Sequence, residues 1–233
     1  MKKIGIIGGM SYESSLHYYE RINNIINDKL GSLYTAEIIM YSVNFQSIEP
    51  YMRQNNWEAI EKELCDKAKK LESIGADIIV IATNTMHKLA DKIQERISIP
   101  ILHIADCVAK ECLEQNIKKV GLLGTKYTMT EDFLKNRLIK NGLDVYVPNK
   151  ENDINEIDRV IFKELCVGKI ENNSKQYYIN VINNMIKEFK IDGIILGCTE
   201  IEMLIKENNI DIPIFDTTQA HINSTVNYIL QNL

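Results

Sequence analysis

The sequence lacks the features that mark several specialised classes of protein. It has no apolar run near the ~18 residues that a membrane-spanning helix needs, so we expect no membrane partner. It has no block of Lys or Arg, and its net charge of −5 argues against nucleic acid as a partner. It has only four prolines and no low-complexity linker, so the 233 residues should pack directly into one large domain or two smaller ones.

The cysteines and histidines form no pattern typical of a disulfide framework or a metal site. The five cysteines are odd in number and include no Cys-x-x-Cys pair, and no H-E-x-x-H motif is present. With no signal-peptide pattern either, we expect reduced thiols, no metal and a cytoplasmic protein. Three cysteines at helical positions are interpreted as packing residues: Cys65, Cys107 and Cys112. The role of Cys166 stays open, and the four histidines are interpreted as structural or surface residues: His17, His87, His103 and His221.

Two segments repeat one pattern about half the chain length apart. Residues 77–85 read Asp-Ile-Ile-Val-Ile-Ala-Thr-Asn-Thr, and residues 192–200 read Asp-Gly-Ile-Ile-Leu-Gly-Cys-Thr-Glu. Each begins as an apolar run typical of a strand buried on both faces and ends in small polar side chains. Two further pairs repeat in the same order: 3–9 with 119–125, and 99–101 with 212–214. We infer two similar halves that place Thr83 and Cys198 at corresponding strand ends, where ligands bind in open α/β sheets.

Alternating strand and helix patterns predict an α/β fold with parallel sheets and right-handed crossovers. The predicted strands are residues 3–7, 36–43, 78–82, 100–104, 120–124, 144–147, 193–196 and 213–215. The predicted helices are residues 14–29, 57–74, 86–96, 131–141, 155–165, 174–189, 202–208 and 218–230. Residues 45–56 are predicted to form a polar loop that reaches over a strand end. We expect an N-terminal domain of residues 1–104 and 216–233, with a returning C-terminal helix, and a C-terminal domain of residues 105–215.

Polar side chains at the two related strand ends are candidates for binding a carboxylate. Asn84-Thr85 and Thr199-Glu200 each open the predicted helix after a strand, so helix capping is their plain alternative role. We favour binding, because both clusters fall at strand ends related by the repeat, beside helix N-termini that attract anions. Cys198 lies in the second cluster, and a helix N-terminus there is expected to lower the pKa of its thiol.

Glycine-containing turns follow the first strand of each half. Gly8-Gly9 lacks the G-x-G-x-x-G spacing of a dinucleotide site, and no acidic residue closes a second strand about 20 positions on. We therefore interpret this turn, and its counterpart at Gly124-Thr125, as backbone N–H groups at a helix N-terminus that are open to an anion. Arg53, in the predicted loop, is a surface residue by default, although such a loop can also aim it at a carboxylate.

With these residues assembled, the chain resembles the aspartate/glutamate racemase family over essentially its full length. The matching motifs are Gly8-Gly9-Met10-Ser11, Asn84-Thr85, Gly124-Thr125 and Gly197-Cys198-Thr199-Glu200. The resemblance implies two pseudosymmetric α/β domains with mainly parallel sheets and an active site between them that uses no cofactor. It also implies a small amino-acid substrate, a homodimer, and two cysteines that act on opposite faces of the substrate to remove and return its α-proton.

The chain departs from the family pattern at one catalytic position. Thr83 stands where the family has its first cysteine, which resembles the L-aspartate/glutamate-specific racemases, in which Thr-Asn-Thr-Met-His replaces Cys-Asn-Thr. The resemblance therefore assigns catalysis to Thr83 and Cys198. It assigns substrate binding to Met10, Ser11, Arg53, Asn84, Thr85, Thr125, Thr199 and Glu200. A lysine that some aspartate racemases use against the side-chain carboxylate falls at Cys166 here, which leaves Arg53 as the candidate for that contact.

The hydroxyl of Thr83 is a much poorer base than a thiol. A thiol has a pKa near 8.5, whereas that of an alkyl hydroxyl is roughly 15–16. Forming the alkoxide at neutral pH therefore costs on the order of 10 kcal/mol more than forming a thiolate. We expect Cys198 to be the main base and Thr83 a weak partner that holds a water or relays a proton, so that the two directions of racemisation are unequal. Two alternatives stay open: a binding or sensing protein that kept the pocket without turnover, and a related decarboxylase or cis–trans isomerase of small dicarboxylates, for which one cysteine can suffice.

Overall fold

A computed structural model describes residues 1–231 of the chain. The chain divides into two compact units: unit 1 comprises Met1–His103 and the described part of His221–Leu233, and unit 2 comprises Ile104–Ala220. The domain limits expected from the sequence, at 104/105 and 215/216, lie near these junctions and remain a prediction. The last two residues of the expected N-terminal domain, 232 and 233, lie outside the described residues.

The elements of unit 1 alternate between strand and helix. In chain order they are β1 (Ile4–Gly8), α1 (Tyr12–Leu30), β2 (Ile38–Ser42), α2 (Phe45–Arg53), α3 (Trp57–Ser73), β3 (Ile78–Ile81), a 3₁₀ turn (Thr85–Leu89), α4 (Ala90–Gln94) and β4 (Ile101–Leu102). The sheet has the order β2-β1-β3-β4, and each neighbouring pair is parallel.

The elements of unit 2 follow the same plan. They are α5 (Ile104–Glu114), β5 (Lys119–Gly124), α6 (Lys126–Thr130), α7 (Asp132–Lys140), β6 (Asp144–Tyr146), α8 (Glu151–Lys163), a 3₁₀ turn (Leu165–Val167), α9 (Asn172–Phe189), β7 (Gly193–Gly197), α10 (Ile201–Leu204), a 3₁₀ turn (Glu207–Asn209), β8 (Ile214–Asp216) and α11 (Thr217–Leu230), which continues into unit 1. The parallel sheet has the order β6-β5-β7-β8. This order repeats that of unit 1, so the predicted repeat is confirmed and β3 and β7 are equivalent strands.

The central strands are buried on both faces because alternate residues enter two apolar layers. In β3, Ile79 and Ile81 pack in a cluster with residues of α2, α3 and α4. Ile78 and Val80 pack in a second cluster with residues of α1 and α11. Every residue of β1, β3 and β7 is buried, which accounts for the continuous apolar runs in the sequence.

The polar loop expected at residues 45–56 is wrong, because the structure has the helix α2 there. The Asn44 side chain caps the helix by accepting from the N–H of Gln46, and Ile48 is fully buried against α3. Pro50 lies inside the helix and, with the polar neighbours, favoured a loop. Burial of one apolar face therefore outweighs the local preference of the sequence.

Several expected helices are shorter than predicted or divided. The helix expected at 202–208 is only α10, which has four residues, and the helix expected at 86–96 is a 3₁₀ turn followed by the five-residue α4. Besides α2, the helices α5 and α6 were not predicted, although Cys107 and Cys112 were correctly expected at helical packing positions. The shortness of α10 matters for the site, because it directly follows Cys198.

Candidate active site

Three polar side chains follow the end of β7, and two of them donate a hydrogen bond to one oxygen of the third. The Cys198 thiol donates a hydrogen bond to Glu200 Oε2, with Sγ 2.9 Å away, and the Thr199 hydroxyl donates to the same oxygen at 2.6 Å. A carboxylate oxygen with two donors is well satisfied when it is ionised. The structure therefore describes a neutral thiol beside a carboxylate, held within three successive residues.

The pKa of Cys198 is raised well above its ordinary value, so the expected lowering is wrong. Burial is the main cause, followed by the negative charge of Glu200 and the hydrogen bond to it, with a smaller contribution from Cys166. The expectation rested on a helix N-terminus, but α10 has only four residues and its dipole is correspondingly small. Cys198 is consequently a thiol at neutral pH and needs a proton acceptor before it can act as a base.

Thr125 lies at the end of β5, the strand beside β7. It caps α6, since its Oγ1 accepts from the N–H of Thr128 at 3.4 Å. The N–H of Lys126 donates to the carboxylate of Asp158 at 2.6 Å, so this turn already binds an anionic group of the protein itself. The expectation that this N–H is open to an anionic ligand is therefore wrong.

Close approach of the backbones explains the glycines at these two strand ends. Gly124 and Gly197 are partners in the β5–β7 register. A Cβ at Gly124 would lie 3.1 Å from the Gly197 carbonyl oxygen and 2.9 Å from Thr128 Cγ2. The two glycines thus bring the following residues, Thr125 and Cys198, to the same edge of the sheet.

In unit 1, the equivalent strand end carries Thr83, Asn84 and Thr85. Asn84 and Thr85 are buried, and Thr83 is partly exposed. The alternative that Asn84 caps the following helix fails, because its side chain makes no capping hydrogen bond to the 3₁₀ turn after it. Its backbone carbonyl instead accepts from the N–H of His87 at 3.1 Å.

The glycine turn after β1 lies beside this strand end. Ser11 caps α1, since its Oγ accepts from the N–H of Ser14 at 3.3 Å, and Met10 is buried. The N–H of Gly9 donates to Ser15 Oγ at 2.8 Å, so the expectation that it is open to an anion is wrong. Gly9 has a φ of +90°, and a Cβ there would lie 2.2 Å from the Val43 carbonyl oxygen.

Arg53 is the last residue of α2, and its recorded side-chain contact is with Glu49 rather than with another candidate residue. Its guanidinium forms an ion pair with Glu49 one helical turn earlier. The Arg53 side chain is 79% exposed. Its expected contact with a substrate carboxylate stays a prediction.

The sequence did not reveal that three buried histidines pack together next to the Thr83 carbonyl. The His87 Nδ1 lies 2.8 Å from the Thr83 carbonyl oxygen, and its ring packs edge-on against His103 and His221. Burial and the neighbouring His87 lower the pKa of His221 to about 3. The four-residue spacing from Thr83 to His87 was a local signal, but the other partners are too distant in sequence to be read from a pattern.

No group of three or more His, Cys, Asp or Glu side chains within residues 1–231 is arranged to hold a metal ion. No helix within the same residues is long and apolar enough to cross a bilayer.

The two units repeat one plan of parallel strands, with Thr83 after the end of β3 and Cys198 after the end of β7. The model of the Asp/Glu/Hydantoin racemase family matches residues 7–225, so the chain belongs to this family. It is thus an enzyme of the racemase class of isomerases.

Relatives and solved structures agree with this membership. The chain is 26% identical over 235 residues to the broad specificity amino-acid racemase RacX of Bacillus subtilis, covering 97% of this chain and 98% of the relative. A structure from Yersinia pestis, described as a candidate Asp/Glu racemase, is 42% identical, covers 99% and 100% of the two chains and has a TM-score of 0.94. An aspartate racemase homologue from Pyrococcus horikoshii is 39% identical, covers 98% and 99%, and has a TM-score of 0.87. The predicted family and the two-unit α/β fold are confirmed.

Proposed function

We propose that this racemase acts on acidic amino acids, L-aspartate and L-glutamate, without a cofactor, with Cys198 as the main base and Thr83 as the weak partner. The observation that carries the proposal is the Cys198 thiol at the end of β7, hydrogen-bonded at 2.9 Å to a carboxylate. A base needs a place to send its own proton, and the carboxylate of Glu200 is such an acceptor.

Each proton that moves in the proposed reaction has a donor and an acceptor. The thiol of Cys198 loses its proton through Glu200 to solvent, and the resulting thiolate takes the α-proton of the L-substrate as the Cα–H bond breaks. The electron pair left on Cα then takes a proton on its opposite face from the hydroxyl of Thr83, or from a water that this hydroxyl holds. Solvent restores that proton, so no oxidant or reductant is needed.

The raised pKa of Cys198 also gives the step a driving force. A thiolate whose conjugate acid has a high pKa is a stronger base towards carbon, although less of it is present at neutral pH. The positively charged α-amino group of the substrate would reduce the repulsion between the thiolate and Glu200. We therefore expect the thiolate to form mainly in the substrate complex.

The proposed contacts of the substrate follow the resemblance. Asn84, Thr85, Thr125 and Thr199 hold the α-carboxylate, and Arg53 binds the side-chain carboxylate. The resemblance further suggests a cytoplasmic homodimer, which light scattering of the purified protein would test.

The test is α-proton exchange in D₂O. Purified protein without pyridoxal phosphate is incubated with L-aspartate, L-glutamate and a panel of uncharged amino acids, and deuterium at Cα and the D-product are measured. We expect exchange and D-product with the acidic substrates. Exchange confined to uncharged amino acids would refute the substrate assignment, and no exchange with any amino acid would refute the activity.

A second candidate is a binding or sensing protein that does not turn over. Two observations favour it: a hydroxyl at Thr83, and the raised pKa of Cys198, which lowers the amount of thiolate. Tight binding of L-aspartate by calorimetry, together with no α-proton exchange, would support this candidate over the racemase.

A further inference from the structure

Side chains hold both peptide groups that flank Thr83. The hydroxyl of Ser14, on α1, donates to the Ala82 carbonyl oxygen at 2.9 Å. The Nδ1 of His87 lies 2.8 Å from the Thr83 carbonyl oxygen. These two carbonyls come after the last residue of β3, Ile81, where the ladder of sheet hydrogen bonds ends. Backbone groups in this position need other partners, and here two side chains supply them.

The hydrogen bond from His87 determines its tautomer. A carbonyl oxygen only accepts, so the proton of the imidazole is on Nδ1. The ring is buried, with its centroid 4.8 Å from that of His103 and 5.5 Å from that of His221, at interplanar angles of 63° and 68°. His87 therefore donates from a ring whose orientation is restricted by packing on two sides.

A second pair of hydrogen bonds orients the rings behind His87. The Nε2 of His221 lies 2.9 Å from the Leu102 carbonyl oxygen, so Nε2 carries the proton and Nδ1 accepts from the hydroxyl of Tyr18 at 2.8 Å. Both His221 and Tyr18 are fully buried. The His87 ring that contacts the Thr83 carbonyl therefore packs against His221 of α11, which is hydrogen-bonded to Tyr18 of α1.

We infer that Ser14 and His87 are positioning residues that fix the Thr83 hydroxyl for the proton transfer on the second face of the substrate. The inference rests on the proposed racemisation. Two adjacent peptide groups held at their carbonyls restrict the backbone dihedral angles of Thr83. Its Cα–Cβ bond therefore keeps one direction, and the hydroxyl moves only by rotation about that bond. A weak proton donor depends strongly on geometry, because a displacement of about 1 Å can cost about a hundredfold in rate.

The test compares inversion with exchange that retains configuration. In D₂O, retained deuterium exchange of L-aspartate or L-glutamate requires only Cys198, whereas formation of the D-enantiomer also requires Thr83. His87→Leu removes the donor but keeps an apolar side chain of similar bulk, and Ser14→Ala removes one hydroxyl. We expect both to lower the ratio of inversion to retained exchange by about tenfold or more, with KM nearly unchanged.

His87→Asn is the conservative variant, since its amide nitrogen can donate from nearly the place of Nδ1. We expect it to restore much of the ratio lost in His87→Leu. His17→Leu, on the partly exposed face of α1, makes the same chemical change at a histidine outside the group and should leave the ratio at the wild-type value. Thermal melting of each variant separates positioning from stability, because a merely structural role would lower the melting temperature without changing the ratio.

Three outcomes would count against the inference. An unchanged ratio in both His87→Leu and Ser14→Ala would overturn it, and so would His87→Asn behaving like His87→Leu in two folded proteins. If His87→Leu does not fold, Ser14→Ala decides alone. A wild-type protein with no exchange at all would instead overturn the proposed function, and the positioning role with it.

Discussion

The negative charge of Glu200 should be the main removable cause of the high pKa of Cys198, and Glu200→Gln tests this. The substitution keeps the size of the side chain and an oxygen that can accept from Cys198 or Thr199. It removes the charge that disfavours the thiolate. Since an anionic neighbour raises the pKa of an acid, its loss should lower the pKa of the thiol and produce thiolate at a lower pH.

The structure gives the size of the effect. A unit charge on Sγ and one on Oε2, 2.9 Å apart, repel by about 6 kcal/mol at an effective dielectric constant of about 20. The carboxylate shares its charge between two oxygens and Cys198 is partly exposed, so about half of this, ~3 kcal/mol, is a better value. That corresponds to about a hundredfold more thiolate in Glu200→Gln at a given pH below the titration midpoint.

Alkylation by iodoacetamide measures this pKa without depending on turnover. The thiolate is the nucleophile, so the rate of Cys198 modification against pH, followed by peptide mass spectrometry, gives the titration midpoint. Glutathione added to the same reaction is the reference for reagent and pH, because Cys166 interacts electrostatically with Cys198. Glu202→Gln, a loss of the same charge two residues further on, is the matched control and should move the midpoint of Cys198 much less.

An unchanged or higher midpoint in Glu200→Gln would refute the electrostatic explanation. The acid limb of the pH profile for kcat/KM should move to lower pH by the same amount as the alkylation midpoint. A lower midpoint with activity lost at every pH would leave the electrostatics intact and show that Glu200 is needed as the proton acceptor as well.

Four further outcomes are expected. Cys198→Ala should abolish α-proton exchange while calorimetry still detects bound L-aspartate, and full exchange would remove its assigned role. Thr83→Cys should raise inversion of both enantiomers, and unchanged inversion would show that Thr83 is not the limiting partner. His221 has a pKa of about 3 in the folded protein against ~6.5 when unfolded, so its stabilising contribution is complete above pH ~6.5 and falls by about 1.4 kcal/mol per pH unit towards pH 3. In urea unfolding, the free energy of unfolding of His221→Gln should depend less steeply on pH between these values, and an equal dependence in the two proteins would contradict this. Gly9→Ala, at φ +90° with its new methyl 2.2 Å from a carbonyl oxygen, should lower the melting temperature well below that of Gly31→Ala, where φ is +74° and no atom lies within 4 Å.

The parts of the fold that could be predicted are those in which the local pattern reports burial. The runs at β3 and β7 are apolar at every position because both faces of each strand are covered, and their repetition revealed the equivalent strand ends. The helix α2 could not be predicted in this way, since Pro50 and polar neighbours favour a loop and only the burial of Ile48 against α3 reverses that preference.

The site was predictable in position but not in electrostatics. The sequence placed Cys198 at a strand end, yet the sign of its pKa shift depends on two facts that no pattern carries: α10 ends after four residues, and the Glu200 side chain turns back towards the thiol. The histidine group was missed for a different reason. His87, His103 and His221 are separated in sequence, and only the packing of unit 1 brings their rings together.

The proposed mechanism, with a thiol and a hydroxyl acting on opposite faces of the substrate, has a kinetic consequence that differs from a simple preference for one enantiomer. The two enantiomers have equal free energies in water, so kcat/KM for inversion must be the same from either side. The predicted inequality of the two directions can therefore appear only in kcat and KM taken separately. The two enantiomers should also differ in the ratio of retained deuterium exchange to inversion. After Cys198 removes the α-proton of the L-substrate, return of a solvent-derived proton by the same thiol should outpace delivery by Thr83, so L-substrate gains deuterium faster than it inverts. After slow removal of the D-substrate proton at Thr83, capture by Cys198 should dominate, so D-substrate inverts with little retained exchange. Equal ratios of exchange to inversion for the two enantiomers would show that the groups on the two faces are of equal strength, and would refute the assignment of the Thr83 hydroxyl as the weaker partner.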